Sequence, residues 1–125
     1  MNSDQRITRY VSESNLNTQR TMIIDDFFHH HHFLSDGGTQ LAQKLHISKR
    51  HLNRVIMQLY GKSFREKQLE TRVEIAEDLL LTTDKNFKEI AEILGYNSPS
   101  HFGNMIKKRT GMTPTELRNE LQKQE

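Results

Sequence analysis

An all-α fold of about seven short helices is what this sequence predicts, on three observations. Apolar residues recur at helical spacing, helix-start capping chemistry appears repeatedly, and the composition suits a thin core. The 125 residues are 34% apolar and 7% aromatic, with two Pro and no Trp, which fits a small helical domain better than a sheet protein or a large enzyme. That length allows one compact domain or two very small ones, and one activity.

The elements follow in chain order. Residues 1–20, with Ser12, Ser14, Asn15, Asn17 and Thr18, are polar with weak periodicity and are read as a flexible N-terminal arm. From about Arg20 to Phe33 the apolar residues Ile23, Ile24, Phe27 and Phe28 recur at helical spacing, and Asp36, Gly37 and Gly38 are expected to end that helix. Ser48 caps a helix that runs to Tyr60 and stops at Gly61. Ser63 with Glu66 opens a longer connecting helix over 63–82, in which Leu69, Val73, Ala76 and Leu80 form one apolar stripe. Asn86 with Glu89, Ser98 before Pro99, and Thr113 with Glu116 behind Pro114 start the remaining helices. In the capping box a side-chain oxygen satisfies an orphan N–H of the first turn, and the glutamate three residues on reciprocates. The division expected is an arm at 1–20, a first subdomain at 21–62, the connecting helix at 63–82 and a second subdomain at 83–125.

An internal repeat carries the function. Leu41, Ala42 and Leu45 match Ile90, Ala91 and Leu94 at an offset of 49, and Leu52, Val55, Ile56 and Gly61 match Phe102, Met105, Ile106 and Gly111 at an offset of 50. Each copy has a small Ala where two helices cross closely, a turn residue four positions later (His46 or Gly95), and an apolar residue ten or eleven after the Ala. That is helix-turn-helix spacing. The extra residue of the second copy falls in its turn, around Asn97 to Pro99. Opposite their core positions, the second helices carry Arg50, Asn53, Arg54 and Met57 in one copy and Ser100, Gly103, Asn104 and Lys107 in the other. Arg pairs bidentately with guanine and Asn with adenine in the major groove. A rigid connecting helix would hold the two readers about one duplex turn apart, roughly 34 Å.

Residues from about Gly38 to Arg118 resemble the DNA-binding domain of the AraC/XylS family of bacterial transcription regulators. The resemblance rests on Ser48-Lys49-Arg50-His51-Leu52-Asn53-Arg54, on Arg72 through Leu80, on Ile90-Ala91 to Gly95-Tyr96-Asn97-Ser98-Pro99-Ser100-His101-Phe102, and on Gly111-Met112-Thr113-Pro114. It implies base-facing positions at Arg50, His51, Asn53 and Arg54 in the first unit and at Pro99, Ser100, His101, Gly103 and Asn104 in the second. Ser48, Lys49, Ser98, Lys107 and Lys108 are implied phosphate contacts, which position without reading sequence. The sequence departs from the family pattern at Gly38, Asn104, Ile106, Thr110 and Leu117, which predicts weaker base reading by the second unit. The resemblance implies double-stranded DNA as partner, with RNA polymerase beside it, and an asymmetric site read by a monomer. About 35 residues precede the match, as in stand-alone members of the family or in a fragment of a longer regulator.

Charge distribution agrees with a polyanion-facing surface. The net charge is +2, but residues 48–72 hold +5, residues 73–94 hold −4, and Lys107, Lys108 and Arg109 form a second basic cluster. Cysteine is absent, so disulfides, thiolate metal sites and thiol catalysis are excluded. No apolar run approaches the roughly 18 residues of a membrane span, and no signal-peptide pattern opens the chain, so a cytoplasmic protein is expected. No nucleophile with an adjacent base, paired-carboxylate site or phosphate-cradling glycine loop appears, which argues against an enzyme, and no cofactor is expected. His29 to His32 offer i, i+3 pairs for a metal, yet lack cysteine and have only Asp25, Asp26 and Asp36 nearby, so a solvated helix face is the expected reading. Arg72 is open to phosphate or to an acidic neighbour, and Tyr60, Phe64, Tyr96 and Phe102 are read as core. The alternative function is a protein-interaction module of the same fold, acting on polymerase or another regulator without specific DNA binding.

Overall fold

The computed structural model describes residues 18–124, and these form seven helices with no strand among the described residues. They are α1 (18–31), α2 (Gly37–Lys44), α3 (Lys49–Tyr60), α4 (Phe64–Thr82), α5 (Phe87–Ile93), α6 (Pro99–Thr110) and α7 (Pro114–Lys123). Residues 18–20, given to the arm by the sequence, already belong to α1, and the rest of the expected arm lies outside the described residues. No described helix is long and apolar enough to cross a membrane.

Two separate cores organise these helices. Ile24, Phe27 and Phe28 of α1 pack with Leu41 and Ala42 of α2 and with Leu52, Val55 and Ile56 of α3. Ala76 and Leu80 of α4 pack with Ile90, Ala91, Leu94, Phe102, Ile106 and Leu117. Each fully buried Leu, Ile or Phe side chain contributes about 1.5–3 kcal/mol relative to exposure, so each unit has its own cohesive centre. In α1 the i, i+3, i+4 set is Ile24, Phe27 and Phe28, whereas Ile23 stands 37% exposed because it lies one residue off that stripe.

The N-caps follow the sequence, but only one of the three expected reciprocal boxes is complete, Asn86 with Glu89 and Ser63 with Glu66 lacking the return bond. Ser48, Ser63, Asn86, Ser98 and Thr113 each accept the backbone N–H three residues on, and Gly61 and Gly111 close α3 and α6 in the left-handed conformation. Reciprocation is complete at Thr113 and Glu116. At Ser63 the partner carboxylate turns elsewhere: Glu66 accepts both Nη atoms of Arg109 at 3.0 Å.

Two expectations fail locally. Gly37 and Gly38 open α2 instead of ending α1. The reason is close packing, since a Cβ on Gly37 would lie 3.3 Å from Cζ of Phe64 and 3.4 Å from the ring of Phe27. The connecting helix α4 also lacks a continuous apolar stripe. Its second half buries Ala76 and Leu80, but its first half buries Gln68, Thr71 and Arg72, while Leu69 and Val73 are half-buried. Those polar residues are satisfied locally: Gln68 Nε2 donates to the Leu34 carbonyl at 2.8 Å and Thr71 Oγ1 to the Lys67 carbonyl at 2.9 Å.

Candidate nucleic-acid interface

Both helix-turn-helix units are built from the same parts. The turn residue His46 has φ 57° and Gly95 has φ 84°, the left-handed conformation that reverses the chain between the two helices. Backward hydrogen bonds fix each turn, from Ile47 N to the Ala42 carbonyl and from Tyr96 N to the Ala91 carbonyl. One residue then precedes the Ser48 cap in the first unit, whereas Asn97 is added before the Ser98 cap in the second, which locates the extra residue. Ala42 and Ala91 are buried at the crossings, 4% and 1% exposed.

The second helix of each unit buries one face and exposes the other. In α3, Leu52, Val55 and Ile56 are buried, Lys49, Arg50, Asn53, Arg54 and Met57 are exposed, and His51 is half-buried. In α6, Phe102 and Ile106 are buried, and Pro99, Ser100, His101, Asn104, Lys107 and Lys108 are exposed. Gly103 is half-buried and faces Pro114, whose side chain lies 3.9 Å from where its Cβ would stand. Ser48 and Ser98 already accept from the N–H groups of His51 and His101, so each hydroxyl retains its proton for an outside acceptor. Lys107 Nζ donates to the Gly111 carbonyl at 3.0 Å, and Lys49 lies 3.8 Å from Asp36 with both side chains exposed. The structure therefore groups the candidate residues into two exposed polar faces, one per unit.

A joint between the units was not visible in the sequence. Arg72 is buried, 8% exposed, and meets no acidic neighbour among the described residues. Its Nε donates to the His32 carbonyl at 2.7 Å, and its guanidinium lies 5.0 Å from the centroid of the Tyr96 ring. Gly95 abuts the next carbonyl of the same segment, with a Cβ position 2.9 Å from the carbonyl carbon of Phe33 and closer still to its oxygen. Arg109 of α6 grips Glu66 of α4, and these hydrogen bonds are the main cause that holds the Glu66 carboxyl below the usual carboxylate range. The end of α1, the start of α4 and the turn of the second unit thus meet at one place.

The histidine run divides along this joint. His29 and His30 are exposed, with Nδ1 bonded to the carbonyls of Asp25 and Asp26. His31 stacks on Phe27 at 5.0 Å, and His32 is buried, so the run is not one solvated face. No group of three or more potential metal ligands gathers among the described residues. Burial foremost, then the Arg72 guanidinium, with smaller effects of His29 and His31, depress the pKa of His32 below its ordinary 6.5. A base depressed in the folded state takes up protons on unfolding, so its contribution is full above the unfolded pKa and is lost as pH falls below it. Thermal unfolding from about pH 8 to about pH 5 should show the melting temperature falling below about pH 6.5. His32→Phe should flatten that fall, and an unchanged profile would remove His32 as its cause.

Comparison with known proteins gives the same architecture. A family model described as a helix-turn-helix domain matches residues 41–120. The transcriptional regulator GlxA of Rhizobium meliloti is 35% identical over 80 residues, covering 64% of this chain and 25% of that protein. The chain thus spans about a quarter of the length of GlxA and of a second curated relative, the transcriptional regulator ArgR of Pseudomonas aeruginosa. Among solved structures, the C-terminal domain of AraT, a response regulator from Geobacillus stearothermophilus, is 33% identical with a TM-score of 0.66, over 81% of this chain and 80% of that one. The DNA-binding domain of AdpA, a global transcriptional factor solved with a target DNA, is 25% identical with a TM-score of 0.73, over 84% of this chain and 94% of that one.

Proposed function

This chain belongs to the AraC-type helix-turn-helix family, and from that membership we propose that it binds double-stranded DNA at specific sites and so regulates transcription. The observation that carries the reading is the pairing of α3 and α6, each seated on its own core with an exposed polar face. The proposed subdomains are 21–62 and 83–125, with 63–82 between them. A 19-residue α4 is about 28 Å long at 1.5 Å per residue, a length compatible with two readers one duplex turn apart.

In this reading Arg50, His51, Asn53 and Arg54 face bases in one major-groove segment, and Pro99, Ser100, His101, Gly103 and Asn104 face the next. Gly103 brings backbone rather than a side chain to its position, and its neighbour Pro114 limits it to shape complementarity. Ser48, Lys49, Ser98, Lys107 and Lys108 take phosphates. The protein acts as a monomer on an asymmetric site in the cytoplasm, with RNA polymerase as second partner and no catalytic step.

Selection of genomic fragments by the purified chain over a salt series tests this. A common asymmetric motif with affinity falling steeply as salt rises supports it, and absence of DNA binding would move the function to protein interaction. Arg54→Ala should lose about 1–3 kcal/mol of site-specific binding and relax selectivity at one base pair, because an exposed guanidinium on α3 reads a base edge. A uniform loss on every sequence would instead make Arg54 a phosphate contact.

A further inference from the structure

Two clefts flank the start of α4, and a single cation belongs to both. The first, about 440 Å³, runs beside the outer face of α3 and is lined by Lys49, Asn53, Met57 and Arg65 among others. The second, about 230 Å³, lies between the units beside the outer face of α6 and includes Arg65, Asn104, Lys108 and Arg109. Arg65 therefore stands between the two exposed faces, lining the cleft beside each.

The chemistry of that position is distinctive. Arg109 is held by Glu66 and Arg72 by the His32 carbonyl, so their guanidinium groups are committed within the protein. Arg65 and Lys108 are exposed and form no hydrogen bond or ion pair among the described residues. Two exposed cations held by no hydrogen bond or ion pair thus border a concave surface, with Arg65 also within electrostatic reach of Glu66.

Two recognition helices in successive major-groove segments on one face of a duplex leave a minor groove between them, flanked by two phosphate backbones. We propose that Arg65, with Lys108 beside it, seats a backbone phosphate of that intervening minor groove and so forms a third DNA contact between the two readers. This rests on the DNA-binding reading above and adds, through Arg65 at the start of α4, a contact from outside both recognition helices. A phosphate contact fixes register without selecting bases, so its role is to set the spacing of the two readers on the duplex. The concave surface also limits how far the backbone can shift sideways at that point.

The test uses the whole chain and the DNA motif that it selects. Arg65→Ala should weaken binding about equally on the selected motif and on its single-base variants, and should reduce the salt slope by about 0.9, the value for one phosphate. The motif recovered by selection should not change. Arg65→Lys should recover most of the slope, since charge rather than bidentate geometry is needed. Methylphosphonate, an uncharged linkage, placed singly along the central minor groove should weaken the wild type at one or two positions and leave Arg65→Ala unaffected there. An unchanged slope in Arg65→Ala, or a loss confined to one base pair, would overturn the proposal. So would inorganic phosphate shifting the NMR signals of the cleft in the wild type while Arg65→Ala binds DNA normally, because the cleft would then serve a free anion. Failure of the wild type to select any motif would instead refute the DNA reading itself, before Arg65 is at issue.

Discussion

Gly95→Ala is expected to destabilise the protein by more than about 3 kcal/mol, more than a methyl added at any other glycine of the described residues. Two costs combine. An alanine in the left-handed conformation costs about 1–2 kcal/mol. The second cost is steric, because the new carbon would fall 2.9 Å from the carbonyl carbon of Phe33, which is backbone and cannot swing aside as a side chain does. Gly111 separates the two terms. It has φ 79° and nothing within 4 Å of its Cβ position, so Gly111→Ala carries the conformational cost alone. Urea unfolding of both variants gives the steric term by difference. If Gly95→Ala costs no more than Gly111→Ala, the joint at Phe33 is soft and the two units are not held in one orientation. His46→Gly is the opposite case, since φ 57° already strains a non-glycine residue there, and it should be neutral or stabilising by up to about 1 kcal/mol.

Much of this fold was legible because capping and turn chemistry are local. A serine hydroxyl reaches an N–H three residues away whatever the rest of the chain does, so Ser48, Ser63, Asn86, Ser98 and Thr113 marked their helices correctly. The internal repeat located the second helix of each unit, α3 and α6, because Ala42 and Ala91, with the turn residues His46 and Gly95, occupy equivalent places in each unit. What could not be read depended on partners far apart in sequence. Gly37 and Gly38 suggested a helix stop, but the deciding neighbour was Phe64, 27 residues from Gly37. Arg72 and its acceptor, the His32 carbonyl, are 40 residues apart, and Glu66 and Arg109 are 43 apart. A carbonyl has no residue identity, so no sequence pattern could have named it as the partner of a buried arginine. The outward residues of α3 and α6 followed from the repeat, whereas Arg65 emerged only once the clefts beside both helices were seen to share it.

Arg72→Ala should cost about 2–4 kcal/mol of stability, through a lost charge-assisted hydrogen bond, an unsatisfied His32 carbonyl and a cavity beneath the Tyr96 ring. Arg72→Lys should recover little of it, because an ammonium cannot both lie flat on the ring and donate sideways to the carbonyl. The consequence for binding is more informative than the loss of stability. Of the three attachments between the units, Glu66 with Arg109 is exposed and screened by salt, and Gly95 against Phe33 is contact without a bond. The buried Arg72 bond is therefore the one directional attachment that resists salt. In the intact protein the units arrive already spaced, so inserting about one base pair between the two half-elements of the selected motif should lower affinity steeply. In Arg72→Ala, assayed below its lowered melting temperature, affinity for the original spacing should drop while the penalty for the inserted base pair shrinks. A variant that keeps the full spacing penalty would show that α4 alone orients the readers. The His32 titration gives an independent check, because removing the guanidinium removes one cause of its depressed pKa and should weaken the acid loss of stability in the same variant.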